Sequence, residues 1–272
     1  MAGWVTTTAS RTSGAALALV IGACGGAGGG SVGTAQDLAT VGLSGVVAAR
    51  TSQAGEFAAD YLRGTHFTSL VVEVGYPAGR APSLAVLDLL RDRLTERCSK
   101  ADGVVVEVGE AIPAEEFPEP VSEGDLAHLE DAHRRRYSDA PSKVAAMYVL
   151  LVSGHDVKDE GMARVVGTSY RGGSLAVFMD TADQGSNLFV TTDEMLGTAL
   201  VHEVGHLLGL VNHGVPMVVD HDDKDHHGHD TDPKSVMFWY VQVPRVKPNL
   251  GDPDFAQYGA ACIADLQAFG GR

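Results

Sequence analysis

One segment restricts the fold of this chain more than any other, the stretch TTDEMLGTALVHEVGHLLG from Thr191 to Gly209. Thr191 and Glu194 have the S/T-x-x-E spacing of a capping box, which predicts the start of a helix. Gly209 favours the left-handed conformation in which helices commonly end. The apolar positions that predict packing of this helix into a core are Leu196, Ala199, Leu200, Val204, Leu207 and Leu208.

The predicted helix carries the pattern H-E-x-x-H at His202, Glu203 and His206. Side chains four residues apart lie on the same face of a helix, so both imidazoles can reach one metal ion. Zinc bound by protein ligands with one open position lowers the pKa of its water to about 7. Glu203 is placed to take a proton from that water and to deliver it to a leaving amine. The pattern therefore predicts hydrolysis of peptide bonds.

The residues from His202 to Gly209 match the beginning of the signature H-E-x-x-H-x-x-G-x-x-H, and here the chain resembles the metzincin metalloproteases. The last position of that signature does not match. It holds Asn212, and the histidine follows one residue later, at His213. The resemblance implies zinc as the cofactor, a third protein ligand and a methionine turn beneath the metal.

The segment HDTDPKSVM at 229–237 resembles the archaemetzincin branch, whose pattern is H-C-x-x-x-x-C-x-M. The spacing from histidine to methionine is kept, so the resemblance implies His229 as the third ligand and Met237 as the methionine of the turn. Asp230 and Ser235 stand where that branch has cysteines. Without those cysteines, the second, structural zinc of archaemetzincins is not expected in this chain.

Other residues remain candidates for the site. His213 and His221 are alternative third ligands, and Asn212 occupies the position that the signature itself gives. Tyr240 follows the methionine in SVMFWY. The resemblance implies an oxyanion stabiliser or a distant fifth ligand at this position, and a packed aromatic side chain is the alternative. The Asp- and His-rich stretch 218–230 is typical of a solvated loop, and its density of ligating groups would also suit a second cation.

The N-terminus has the pattern of an export signal. Arg11 is the only charged residue in the first 23, and the apolar run 15–21 is too short to span a bilayer but has the length of a signal-peptide core. The sequence IGAC resembles the bacterial lipobox, which implies cleavage after residues 1–23 and lipidation of Cys24. An ordinary secretory signal is the alternative. The resemblance implies an exported protein, lipid-anchored in the cell envelope, like predicted zinc metalloprotease lipoproteins of Gram-negative bacteria.

The rest of the chain suffices for one domain. Residues 24–65, Gly-rich at first and weakly patterned, predict a flexible linker, and residues 66–272 are ample for a catalytic domain with its own core. The net charge of −15 argues against nucleic acid as a partner. We expect a protein or peptide substrate and a monomer. In an exported protein, Cys98 and Cys262 could form a disulfide.

Hydrophobic patterning predicts strands at 67–76, 103–108, 143–152 and 174–180. Further helices are predicted at 82–98, 122–137 and 253–269. This order predicts an α+β fold of the metzincin-like, zincin type: a mixed β-sheet backed by helices, then the active-site helix and an irregular C-terminal subdomain ending in a helix. The strand at 174–178 is expected to be the sheet edge along which an extended substrate pairs.

Two hypotheses on function follow. The preferred one is a membrane-anchored zinc metalloendopeptidase with Glu203 as general base. The alternative is a non-catalytic surface lipoprotein with a zincin fold that binds or scavenges metal, which the Asp- and His-rich stretch motivates. Glu203 argues against the alternative, because a pure metal binder needs no base beside its ligands. Metal stoichiometry separates the two, since an enzyme holds one zinc tightly and a scavenger holds several ions weakly.

Overall fold

The computed structural model describes residues 18–20, 34–240 and 250–272. Cys24 and all but three residues of the predicted signal peptide, 1–23, lie outside this described part. No helix within the described ranges is long and apolar enough to cross a membrane.

The elements of secondary structure follow in chain order. The strands are β1 (Ala18–Val20), β2 (Ser69–Pro77), β3 (Gly103–Ile112), β4 (Val144–Val152), β5 (Ala163–Val165), β6 (Gly167–Arg171) and β7 (Ser174–Phe178). The helices are α1 (Leu38–Val41), α2 (Gly45–Thr51), α3 (Ala58–Leu62), α4 (Leu84–Arg97), α5 (Glu123–His133), α6 (Met179–Gly185), α7 (Thr192–Leu207) and α8 (Ala260–Phe269), with a short 3₁₀ turn at Ala114–Glu116.

Five strands form the main sheet, in the order β3-β2-β4-β7-β6. β2, β3, β4 and β7 are parallel, whereas β6 runs antiparallel to β7 at the edge. β1 and β5 pair separately. The predicted α+β architecture, a mixed sheet backed by helices, is confirmed. The prediction that the strand at 174–178 forms the edge of the sheet was wrong. This strand is β7, which lies between β4 and β6, and the edge strand beside the H-E-x-x-H helix is β6.

Hydrophobic packing covers both faces of the sheet. Successive side chains of a strand point to opposite faces. Val149 and Leu151 of β4 therefore belong to the core that α4 and α7 cover, and Tyr148 and Leu150 belong to the core under α5. Burial on both faces explains why β4 reads as a continuous apolar run rather than an alternating one.

The segment predicted as a flexible linker, 24–65, is ordered from its helix α1 onward. Leu38, Tyr61 and Leu62 are buried in the main core. The carboxylate of Asp60 accepts a hydrogen bond from the backbone N–H of Leu38, which fixes α1 against α3. Helices of four to seven residues leave almost no periodicity in the sequence, so the linker prediction failed there.

Further differences from the predictions concern β6, α6, the last helix and the two cysteines. β6 and the helix α6 had not been predicted. The last helix begins at Ala260 rather than at residue 253, after the N-cap Gly259. Cys98 and Cys262 are both buried and free, so the disulfide is not formed.

Candidate metal centre

The helix α7 carries the H-E-x-x-H residues into the core. Its capping box is complete, since Thr191 Oγ1 accepts from the backbone N–H of Glu194, and the Glu194 carboxylate accepts from the N–H of Thr191. The helix ends at Leu207, and Gly209 has the predicted left-handed conformation, with φ +81°. His202, Glu203 and His206 are completely buried between this helix and its neighbours.

Three histidines converge at one point. One ring nitrogen each of His202, His206 and His229 lies within 4.8 Å of the others. The Nε2 atoms of His202 and His206 are 3.0 Å apart, and the His229 ring centroid lies 5.2 Å and 5.3 Å from those of His202 and His206. In tetrahedral zinc sites, bonds of about 2.0–2.1 Å place neighbouring nitrogens about 3.3 Å apart. The structure therefore brings together the three histidines preferred as ligands, close to that spacing.

The hydrogen bonds that two of these histidines make to the backbone engage Nδ1 and direct Nε2 toward the other imidazoles. His202 Nδ1 donates to the carbonyl oxygen of Val236 at 2.6 Å, and His229 Nδ1 donates to the carbonyl of His226 at 3.1 Å. Such second bonds fix the tautomer of a ligating histidine and turn its other nitrogen toward the metal. Nε2 of His229 is buried without a hydrogen-bond partner in the described part of the chain.

Burial keeps these imidazoles neutral. It lowers the pKa of His202 and of His206 well below the usual value, and it lowers the pKa of His229 to about 4. Neutral imidazoles are the form that binds metal ions. Three neutral, buried nitrogens that face one another fit a metal cation with an open coordination position.

The turn that contains Met237 closes the site from the C-terminal side. The side chain of Met237 is completely buried. The backbone N–H of Asp230 donates to the carbonyl of Met237 at 2.8 Å, and Ser235 Oγ accepts from the N–H of Met237 at 3.2 Å. These bonds hold the residue after His229 directly against the turn whose Val236 carbonyl orients His202.

Glu203 is held by the edge strand. Its Oε2 accepts a hydrogen bond from the hydroxyl of Ser169 at 2.8 Å, and its Oε1 is buried with no hydrogen-bond partner in the described ranges. Burial raises the pKa of Glu203 to about 8. The segment GTSYRGGS at 167–174 suggested the rim of the cleft, but no motif marks Ser169 itself, and only the register of β6 shows its contact with Glu203.

Two other candidate ligands, His213 and Asn212, are not part of this three-histidine cluster. The His213 ring packs beside His206, with centroids 4.7 Å apart, but its Nδ1 faces the carbonyls of Leu210 and Val211. Asn212 is exposed, with φ +66°. The left-handed residues after α7 thus turn the signature's own ligand position out to solvent.

His221 belongs to a second buried cluster. Its Nε2 donates to Asp265 at 2.9 Å, and its Nδ1 lies 3.3 Å from Asp230. The carboxylates of Asp230 and Asp265 raise the pKa of His221 to about 12, so it is an imidazolium between two carboxylates. The thiol of Cys262 donates to Asp230 at 3.3 Å. His221, Asp230 and Cys262 are close enough to hold a cation, but a protonated His221 already forms ion pairs with Asp230 and Asp265.

The Asp- and His-rich stretch is folded by its own side chains. Asp222 accepts from the N–H of Gly228 at 2.8 Å and from His227 Nδ1 at 2.8 Å. The ring of His226 stacks on the ring of Trp239, with centroids 3.8 Å apart. The ring centroids of Trp239 and Tyr240 are 5.5 Å apart. Much of this stretch therefore shapes the loop that carries His229.

No family model matches the chain. No curated protein matches it significantly. Among solved structures it is similar to archaemetzincin from Methanopyrus kandleri, with 16% identity and a TM-score of 0.46 over 74% of this chain and 96% of that one. It is also similar to a zinc-dependent peptidase from Methanocorpusculum labreanum, with 17% identity and a TM-score of 0.40 over 72% of this chain and 99% of that one.

Proposed function

We propose that this protein is a zinc-dependent metalloendopeptidase. The observation that carries the proposal is the convergence of His202, His206 and His229 as neutral, buried imidazoles on the helix face that also bears Glu203. Zinc bound there would act as a Lewis acid, which polarises the carbonyl of the peptide bond and lowers the pKa of a coordinated water to about 7.

Each residue of the site has a role in this proposal. The three histidines hold the ion, with His202 oriented by the Val236 carbonyl. Glu203 uses its unpaired Oε1 to accept a proton from the attacking water and then donates that proton to the leaving amine. Tyr240 is proposed to donate a hydrogen bond to the tetrahedral oxyanion.

The test combines metal analysis with a peptidase assay. Purified protein should contain one zinc per chain and hydrolyse members of a fluorogenic peptide mixture, with activity lost on chelation and restored by zinc. Glu203→Gln should lower kcat at least about 100-fold and still bind one zinc, because glutamine keeps the shape but accepts no proton. Equal activity in that variant would refute the proposed mechanism.

Metal scavenging is the second candidate, and the cluster of His221, Asp230 and Cys262 is the observation in its favour. Two features oppose it. His221 already lies between two carboxylates, and Asp222 is engaged in bonds that form the loop. A scavenger should bind several ions weakly per chain, whereas the enzyme proposed here should bind one tightly.

The cellular location is a further part of the proposal. We infer from the lipobox-like IGAC that Cys24 is lipidated and that the protein is anchored in the cell envelope. Labelled palmitate should enter the wild-type protein and not a Cys24→Ala variant, which should leave the membrane fraction. Membrane association of that variant without label would contradict the lipid anchor.

A further inference from the structure

We propose that Ser169, on the edge strand β6, is a positioning residue that determines which carboxylate oxygen of Glu203 is free to accept a proton. This inference rests on the proposed function, since it concerns the base of that reaction. Nothing in the motif of α7 indicates it. It comes from the contact between β6 and the helix.

The hydroxyl of Ser169 has both of its acceptors on one residue. It lies 2.8 Å from Oε2 of Glu203 and 3.0 Å from the carbonyl oxygen of the same residue. Ser169 is 1% exposed and Glu203 is fully buried, so water does not compete for these atoms. A buried hydrogen bond to a carboxylate is among the stronger hydrogen bonds in proteins.

Gly167 confines the same side chain from the other direction. A Cβ atom at this position would lie 3.0 Å from Cγ of Glu203 and 3.1 Å from its Oε1. Both distances are tighter than ordinary van der Waals contact. At Gly167 the strand thus lies close enough that a side chain there would press on Glu203, and two residues further along it provides the hydroxyl that holds Oε2.

These two contacts give the carboxylate one orientation. Oε2 is occupied by Ser169, and Oε1 is buried without a partner in the described residues. A carboxylate without the Ser169 bond could rotate and leave either oxygen facing the reacting water. Because a base must be held within about 0.5 Å of its productive position, loss of this bond should affect the chemical step and not the binding of substrate.

The first experiment is Ser169→Ala in the zinc-loaded protein. We expect kcat to fall about tenfold, less than for removal of the base itself, with KM within about twofold of wild type. Zinc content should stay at one per chain, because Ser169 contacts Glu203 and not the histidines. An unchanged kcat, or a loss that appears only in KM, would overturn the proposal.

Ser174→Ala is the matched control. Ser174 is also a buried serine of the same pair of strands, and its hydroxyl donates to the Glu130 carboxylate at 2.7 Å. This control loses the same kind of bond at a carboxylate outside the proposed site. Its Tm should fall while its kcat stays at the wild-type value. An equal loss of kcat in both variants would show a general structural effect and overturn the positioning role.

A second readout needs neither zinc nor activity. In the metal-free protein, Ser169→Ala should lower Tm by about 5 °C, since it leaves the buried carboxyl group of Glu203 without its hydrogen-bond partner. In a Glu203→Ala background the same substitution should lower Tm by less than half as much, because only the bond to the backbone is lost. Equal losses in the two backgrounds would show that the hydroxyl does not act on the carboxylate.

Ser169→Cys covers the case in which the alanine variant does not fold. The thiol nearly fills the space of the hydroxyl but donates a much weaker hydrogen bond. Its kcat should again fall, and a wild-type kcat would overturn the proposal. If the wild-type protein hydrolyses no peptide, the proposed function fails, whereas the Tm comparison in the metal-free protein still tests the contact.

Discussion

Met237 packs against α7 at Gly205, so closely that a Cβ atom on Gly205 would overlap the methionine sulfur. The same Cβ would lie 3.0 Å from the ring of Tyr258, whose hydroxyl donates to the Val201 carbonyl at 2.8 Å. Gly205 immediately precedes His206. The glycine inside the H-E-x-x-H pattern is therefore what allows the methionine turn to lie against the helix that carries two of the proposed ligands.

Gly205→Ala should accordingly destabilise the protein. Alanine favours the helix by about 0.5–1 kcal/mol, but the overlap with Met237 costs about 1–3 kcal/mol, so we expect a net loss in urea unfolding. Gly124→Ala on α5 is the control, because its Cβ would meet only Ser122 Oγ at 3.6 Å. A stability gain in both variants would show that Met237 moves aside freely.

The third ligand can be identified by paired substitutions. His229→Ala should weaken zinc binding by more than the about 10- to 100-fold that loss of an outer-shell partner costs. His213→Ala should change zinc affinity less than about tenfold, because Nδ1 of His213 faces backbone carbonyls and its ring only packs beside His206. Competition with a chromophoric chelator measures both affinities. A larger effect for His213 would reverse the assignment.

Zinc affinity should depend little on pH. Burial keeps the pKa of His229 at about 4 and the pKa values of His202 and His206 well below 6.5, so protons do not compete with the metal near neutrality. In the Glu203→Gln variant, where the neighbouring carboxyl no longer titrates, affinity should change less than about tenfold from pH 7.5 to 5.5. Three histidines with ordinary pKa values would instead weaken binding about 1000-fold over that interval, and this result would contradict a preformed neutral site.

The parts of the site that were predictable depend on residues near one another in the chain. The capping box at Thr191 and Glu194 and the stop at Gly209 are local signals, so the bounds of α7 were close to the prediction. Ser169 reaches Glu203 across 34 positions through the register of β6, a strand too short and too polar to be recognised. Such pairings depend on the packing of the whole sheet, and no local pattern encodes them.

The same distinction explains why His221 was considered as a ligand. The many Asp and His residues around His221 are visible in the sequence, but its hydrogen-bond partner Asp265 lies 44 positions away on α8. The structure uses His221 to join the loop to the C-terminal helix.

The stability that His221 contributes should be lost as pH rises. Its pKa is raised to about 12 in the folded protein by Asp230 and Asp265, whereas an unfolded histidine has a pKa of about 6.5. The folded state therefore holds the extra proton, and the contribution is complete below pH 6.5 and declines from there toward pH 12. The slope is at most about 1.4 kcal/mol per pH unit.

Urea unfolding at pH 6 and pH 9 measures this effect. The difference in unfolding free energy between wild type and His221→Gln should be larger at pH 6, because glutamine carries no charge at either pH. His66→Gln is the control, since its pair with Asp37 is exposed and screened by solvent. If the difference for His221→Gln is the same at both pH values, then His221 is not a cation in the folded protein, and the two carboxylates must be neutralised by protons or by a metal ion instead.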